Sequence, residues 1–322
     1  MIIRAMNPDV SIQGTVRLAH LGVIRASGAE ALKFLHGQLT NDTLGLDPAR
    51  ARLAGYCSAK GRLQASFVLW KASEEEVLLV CAADLLAATL KRLSMFVLRM
   101  RCKLADASES VPLFGLAGAA ALDACGDAPA WQRRERAAAS VIALPEAAGV
   151  RRCLWAGPHP PAPADTAPQL GLDRWRWLEV RSGLPLIEAA TVDRFVPQML
   201  NYELVGGVDF QKGCYPGQEI VARSQYRGTI KRRMALFEVD AVAAPGQEVF
   251  HGDDPGQPAG MVVNAAPQPD GIGSAALVEV KLAALERGSL HLGSHDGPRL
   301  RRAALPYALP IEPAPSTEPA AG

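Results

Sequence analysis

Cys214 lies in the stretch Asn201 to Arg233, NYELVGGVDFQKGCYPGQEIVARSQYRGTIKRR, where glycine, amides and cations are denser than in the flanking sequence. Lys212 stands two residues before the thiol, and Arg223 and Arg227 follow on the same segment. Positive charge beside a cysteine favours the thiolate, the form that attacks electrophiles and binds metals. Glycines such as Gly213 and Gly217 permit backbone angles closed to other residues, so the loop is suited to placing something. The competing reading is a small turn residue with an inert thiol, and spacing alone does not choose between the two.

Lys231, Arg232 and Arg233 extend the cationic run. With Arg223 and Arg227 they could hold an anion, such as a folate glutamyl tail or an RNA phosphate, or simply form the solvated edge of a strand. Other candidates carry less. His291 and His295 are four apart with Gly293 between them and no acidic partner suited to a zinc site, so both read as structural. Gly271-Ile272-Gly273 lacks the full dinucleotide fingerprint, and no phosphate-binding Walker pattern occurs.

The 322 residues carry a formal net charge of +1, which excludes recognition by bulk charge and leaves only local patches. Six cysteines without a C-x-x-C pair fit neither a disulfide framework nor a self-contained metal or cluster site, so no stable metal site and a reducing compartment are expected. Met1 to Val10 lacks a basic start followed by an apolar stretch, and no run approaches the roughly 20 apolar residues of a membrane span. A cytoplasmic protein with no membrane partner is the expectation.

The elements that position these residues can be read by period. Ser27 and Glu30 form a capping-box pattern, and Leu32, Leu35 and Leu39 recur at helical spacing, predicting a helix over residues 28–40. Residues 62–70 alternate as a half-buried strand, and 76–81 predict another. Leu86, Leu90, Leu93 and Val97 mark a second helix, and residues 98–104 alternate as a strand whose polar face carries Arg99, Arg101 and Lys103. Further on, strands are expected near Leu113, Val141 and Leu154 and a helix over 173–182, with the proline-rich residues 157–168 as a tether.

After Arg233, short apolar alternations are separated by Pro245-Gly246, Asp254-Pro255-Gly256 and Asp270-Gly271, the pattern of a small antiparallel barrel. The resulting division is an α+β unit over 1–110, a second over 111–230 that includes the Cys214 loop, a β-barrel over 231–305, and a disordered Pro- and Ala-rich tail over 306–322.

Lys212-Gly213-Cys214-Tyr215-Pro216-Gly217-Gln218-Glu219 resembles the K-G-C-Y-x-G-Q-E signature of the YgfZ family. The likeness extends through Gly183-Leu184-Pro185, residues 195–201, Ala222-Arg223 and Arg227-Gly228. More loosely, Phe34 to Asp42 (FLHGQLTND), Ser58 to Arg62 and Phe96 to Arg99 resemble the wider group that includes the glycine-cleavage aminomethyltransferase. In all it covers about Leu18 to Leu305. It implies an α+β fold of three subdomains in a ring, two α+β and one C-terminal antiparallel β-barrel, with tetrahydrofolate in the central channel.

The resemblance also implies a role. It is that of a folate-binding accessory protein for assembly or repair of iron–sulfur clusters in client enzymes, including those that thiolate tRNA, so that tRNA is an indirect partner. Cys214 would be a redox or transient sulfur or cluster contact, since a stable cluster commonly takes four cysteines. Lys212 and Arg223 would tune the thiol, while Gln218 and Glu219, with Gly213, Tyr215 and Gly217, would hold the loop. Asn41, Gln64, Arg181 and Tyr202 are the folate contacts implied.

Two departures separate the chain from the transferases. The acidic catalytic residue expected in the strand after Gly61 is replaced at Gln64 and Ala65, neither of which can manage a proton at the folate nitrogen. Arg181 stands where a glutamate would read the pterin edge, replacing an acceptor by a donor. A glycine-cleavage activity is thereby disfavoured. The alternative is a folate-dependent one-carbon transferase or demethylase, and a third option is direct tRNA binding through Lys231 to Arg233.

Overall fold

The computed structural model describes residues 12–159, 168–228 and 230–310. The expectations for Met1 to Val10 and for residues 160–167 and 311–322 lie outside them.

The first sheet is built from β2 (Leu21–Ser27), β3 (Ala51–Cys57), β4 (Leu63–Ser73), β5 (Glu76–Ala82) and β6 (Lys103–Asp106). Its order is β3-β4-β5-β2-β6, each neighbouring pair antiparallel. The strand period divides its residues cleanly. Ala65, Phe67, Leu69, Val77 and Leu79 pack under helices α1 (Ala31–His36) and α2 (Ala83–Ser94), whereas Trp70, Leu78 and Val80 face a core common to the whole chain.

A second sheet runs β1-β7-β10-β9-β8, from β1 (Gly14–Arg17), β7 (Leu113–Ala117), β8 (Arg133–Arg136), β9 (Ala139–Ala147) and β10 (Val150–Ala156). Helix α3 (Ala119–Cys125) covers one face and α4 (Leu172–Arg181) lies towards the common core. The sequence division at residue 110 is crossed here, because β1 leaves its own unit and pairs with β7.

After helix α5 (Gln218–Tyr226), the chain closes a barrel in the order β11-β14-β13-β12-β15-β16. Its strands are β11 (Arg232–Val239), β12 (Glu248–His251), β13 (Asp254–Pro267), β14 (Ser274–Lys281), β15 (Leu290–Leu292) and β16 (Arg299–Ala303). Phe237, Val239, Val262 and Val278 fill its interior, while Met234, Leu236 and Leu277 point to the common core. The α+β architecture with a closed C-terminal antiparallel barrel is thus the one expected.

Local departures have tertiary causes. The Ser27/Glu30 capping box does not form: Glu30 spends its carboxylate on the Arg101 N–H at 2.9 Å. Helix α1 stops at His36, well short of residue 40, because Leu39 and Thr40 are drawn into the sheet. Residues 98–102 turn instead of extending, with Leu98 at φ +48° and 85% exposed, so that β6 begins only at Lys103. Its alternation recorded exposure, not pleat. The turn expected at Asp254 lies just before it, where the Gly252 N–H reaches Ser289 O at 2.9 Å and β13 starts. Tyr307, inside the expected disordered tail, donates its hydroxyl to Gly183 O at 2.8 Å and is ordered.

Candidate functional site

The signature loop is held at two points. A side chain on Gly217, at φ +78°, would place its Cβ 2.3 Å from Ser58 O, so only glycine allows this loop to sit against residues 58–61. The second point is Lys212, whose ammonium donates to Leu39 O at 2.8 Å and to His36 O. His36 O is the last carbonyl of α1, so a cation there satisfies both its hydrogen bonding and the helix dipole, while Leu39 O lies past the helix where the chain joins the sheet. The ammonium also stands 4.8 Å from the centre of the Tyr215 ring. Burial lowers the Lys212 pKa to about 8, against the pull of Asp42, Asp209 and Cys214.

Tyr215 is buried between the loop and the first sheet, which raises its hydroxyl pKa, with Cys57 adding to the shift. Cys57 itself is sealed in the core and pushed up to about 12 by burial. Cys214 differs from it in being exposed. Gln218 opens α5 with its N–H on Tyr215 O at 3.2 Å. Arg223 pairs with Glu219 at 2.9 Å on the open face of that helix. Its guanidinium is therefore engaged by a carboxylate one turn away, which weakens the expectation that it tunes the thiol.

The sequence did not single out two residues that the fold brings to this loop. His36 lies with Nδ1 2.9 Å from Asp42 Oδ1, and its Nε2 borders Gly213. Both belong to the FLHGQLTND run, and nothing in that run signalled that its helix end would meet a loop about 170 residues later in the chain.

Two adjoining cavities open between the units. The inner one, about 100 Å³, has apolar walls that include Leu18, Val80 and Trp175. Ser66, Arg152, Glu179, Ser182 and Tyr202 are its polar lining. Glu179 accepts from Trp175 Nε1 at 2.8 Å and contacts His20 Nε2 at 2.9 Å. Arg152 is wholly buried, held to about 10 by desolvation against the pull of Glu179, and donates to Pro145 O. The outer cavity, about 610 Å³, carries Arg50, Arg52, Asp209 and the exposed Tyr226. Leu53 and Trp131 line both, and Trp131 sits at φ +69°, a conformation rarely adopted by a bulky residue.

The expected folate contacts fall in different places. Tyr202 does line the inner cavity, its hydroxyl spent on Ala54 O at 3.0 Å. Asn41 borders the outer cavity, but both of its amide hydrogens go to backbone, to Leu53 O and Gly206 O at 2.7 Å each. Arg181 belongs to the barrel side, stacked over Trp177 at 5.6 Å and donating to Glu238 at 3.3 Å. Gln64 donates to Asp193 at 2.8 Å, and Ala65 faces the helices, whereas Ser66, Phe67 and Val68 are the β4 residues on the cavity.

The cationic run also resolves differently. Arg232 is paired with Glu279 and Arg233 with Glu203, and Glu279, Arg233 and Glu203 have side chains at most 5% exposed. Both guanidiniums are therefore engaged by carboxylates, Arg233 buried and Arg232 with 28% of its side chain exposed. His291 is fixed within its own turn, contacting Ser289 Oγ at 2.7 Å and Gly297 O at 2.8 Å. Among the described residues no cluster of three or more His, Cys, Asp or Glu is arranged to hold a metal ion. Nor is any helix there long and apolar enough to cross a membrane.

No family model matches the chain. Among curated proteins it is 35% identical over 230 residues to the tRNA-modifying protein YgfZ of Edwardsiella ictaluri, covering 66% of this chain and 67% of that one. It is 29% identical over 311 residues to the YgfZ of Klebsiella pneumoniae, covering 88% and 89%. Among solved structures it resembles the glycine cleavage system aminomethyltransferase T from Bartonella henselae, with a TM-score of 0.72 over 90% of this chain and 84% of that one, at 17% identity. That likeness shows the shared fold. With a signature loop locked by Lys212 and Gly217, an exposed cysteine at its tip and these relatives, the chain belongs to the YgfZ family.

Proposed function

We propose that this chain is a cytoplasmic tetrahydrofolate-binding accessory protein that supports assembly or repair of iron–sulfur clusters in client enzymes, including those that thiolate tRNA. The observation that carries this reading is the contrast of Cys214 with Cys57: a thiol kept exposed on a loop locked from both sides, beside one sealed in the core. Relatives named as tRNA-modifying proteins supply the biological setting.

The lining of the cavities supports this cofactor. A pterin is flat, with donor and acceptor edges, and the inner cavity offers Trp175 and Val80 as walls with Glu179, Ser66 and Arg152 as polar partners. Tetrahydrofolate, when bound, supplies a one-carbon acceptor or donor. The protein's own part is to exclude water with Leu18, Leu53 and Trp131 and to orient the ring through Glu179. Because a single exposed thiol cannot own a four-cysteine cluster, Cys214 serves as a transient contact.

The test is complementation. In a strain lacking the wild-type copy, Cys214→Ala is expected to reduce cluster-dependent tRNA thiolation, and unchanged thiolation would sink the thiol role. A second reading, folate-dependent one-carbon transfer, is favoured by one observation: Glu179 places a carboxylate on the cavity wall although Gln64 and Ala65 do not. A methylene- or formyl-folate product from the purified protein would establish it, whereas binding without turnover supports the accessory role.

A further inference from the structure

Glu179 is the acidic side chain on the wall of the inner cavity, and its carboxylate is held on both oxygens. Trp175, one turn earlier on α4, donates its indole N–H to Oε1 at 2.8 Å. That indole is itself fixed in place. A Cβ on Gly115 of β7 would stand 2.6 Å from the ring, so only glycine lets the indole lie against this strand, and the buried Arg152 guanidinium sits 5.5 Å from the ring centre.

The second donor comes from a different part of the chain. His20 Nε2, 159 residues away in sequence, lies 2.9 Å from Oε2 and 3.2 Å from Oε1. Both neighbours of that nitrogen are acceptors, so it carries the ring proton. His20 belongs to the turn that leads from β1 of the second sheet to β2 of the first, and backbone bonds pin this turn: Leu18 N–H donates to Leu113 O and Ala83 N–H to His20 O, each at 2.9 Å. The imidazole is 12% exposed, and its Nδ1 is buried with no hydrogen-bond partner. A side chain placed for packing alone has no reason to bury an unpaired nitrogen, so the contact with Glu179 is what accounts for a histidine here.

We propose that His20 is a positioning residue: it turns and holds the Glu179 carboxylate so that its remaining acceptor capacity faces the cavity and selects a ligand with two adjacent N–H donors. The two oxygens of a carboxylate offer about four acceptor sites, and two donors from the protein leave some of them unused. A planar ring whose edge carries an amino group beside a ring N–H fills these with two parallel bonds, a geometry that adds specificity as well as energy. A ring with an apolar group in place of the amino group leaves an acceptor unpaired inside the cavity and is rejected on that account.

This inference rests on reading the inner cavity as the tetrahydrofolate site. The test is the dissociation constant of the full chain for two ligands, tetrahydrofolate and its analogue with a methyl group in place of the pterin amino group. Wild type is expected to bind tetrahydrofolate about tenfold more tightly than the analogue or better. His20→Leu should weaken tetrahydrofolate about tenfold and leave the analogue within about twofold, so that the preference collapses. His20→Asn, whose amide is too short to reach Glu179, should behave alike and serves if the leucine variant does not fold. His20→Gln, which returns an N–H to the position of Nε2, should restore the preference to within about threefold of wild type. An equal loss for both ligands marks a packing role and overturns the proposal. So does a wild type without preference, or a folded His20→Leu or His20→Asn that keeps the wild-type preference, and in these cases tetrahydrofolate binding itself still stands. A wild type that binds neither ligand removes the tetrahydrofolate reading and this inference with it.

Discussion

Two stretches of one cation-rich segment, Lys212 to Cys214 and Arg232 to Arg233, end in opposite chemistry. At Arg232 and Arg233 each guanidinium meets a buried carboxylate, Glu279 or Glu203. At Lys212 the cation meets neutral carbonyls at a helix end, and the residue two further on is free and exposed. The Arg233 pair joins the barrel to the rest of the molecule, the Arg232 pair ties two barrel strands, and the Lys212 arrangement presents a side chain. What separates them is the partner each cation finds, which sequence alone does not state.

The sharpest way to break the contrast is Arg233→Ala, which leaves Glu203 buried without its cation. It should cost about 3–5 kcal/mol in denaturant unfolding, with the barrel seam failing first. Gly217→Ala should cost about 2–3 kcal/mol, since it combines a positive φ with a Cβ 2.3 Å from Ser58 O. Lys212→Met removes two donors from the end of α1 and should cost about 1–3 kcal/mol, read as faster amide exchange in residues 36–40.

The Lys212 prediction is sharpened by pH. Its folded pKa, about 8, lies below the ordinary lysine value of 10.5, so between these the unfolded chain binds more protons and stability rises with pH. Wild type should therefore gain on Lys212→Met as pH climbs from about 8 towards about 10, and a constant difference would contradict the assignment. The smallest effect belongs to Arg223→Ala. Its pair with Glu219 is exposed on both sides, and melting should show a loss below about 0.5 kcal/mol.

Much of the fold was legible because single elements carry their own period. Strands β4 and β5, helix α4 and the barrel follow from alternation and helical spacing that burial then enforces. What stayed hidden depends on distant partners. Helix α4 shows this within ten residues: Trp175 and Glu179 turn to the inner cavity, while Trp177 and Arg181 turn to the barrel. Periodicity marks both pairs as lying on faces and does not say which face meets a ligand, and it is Glu179, not Arg181, that lines the wall. The signature loop was legible as a motif, whereas its contacts with His36, Asp42 and Ser58 arise only when residues far apart in sequence fold together.

The bond from Lys212 to Leu39, just past α1, spans 173 residues and bears on the order of synthesis. By the time Asp106 has left the ribosome, every strand of the first sheet has been made, yet the last carbonyls of its helix still face water. They stay so until Lys212 emerges, two residues ahead of the thiol. The nascent chain thus carries an unfinished first unit from Asp106 to Lys212, and the residue that completes it delivers Cys214 in the same step.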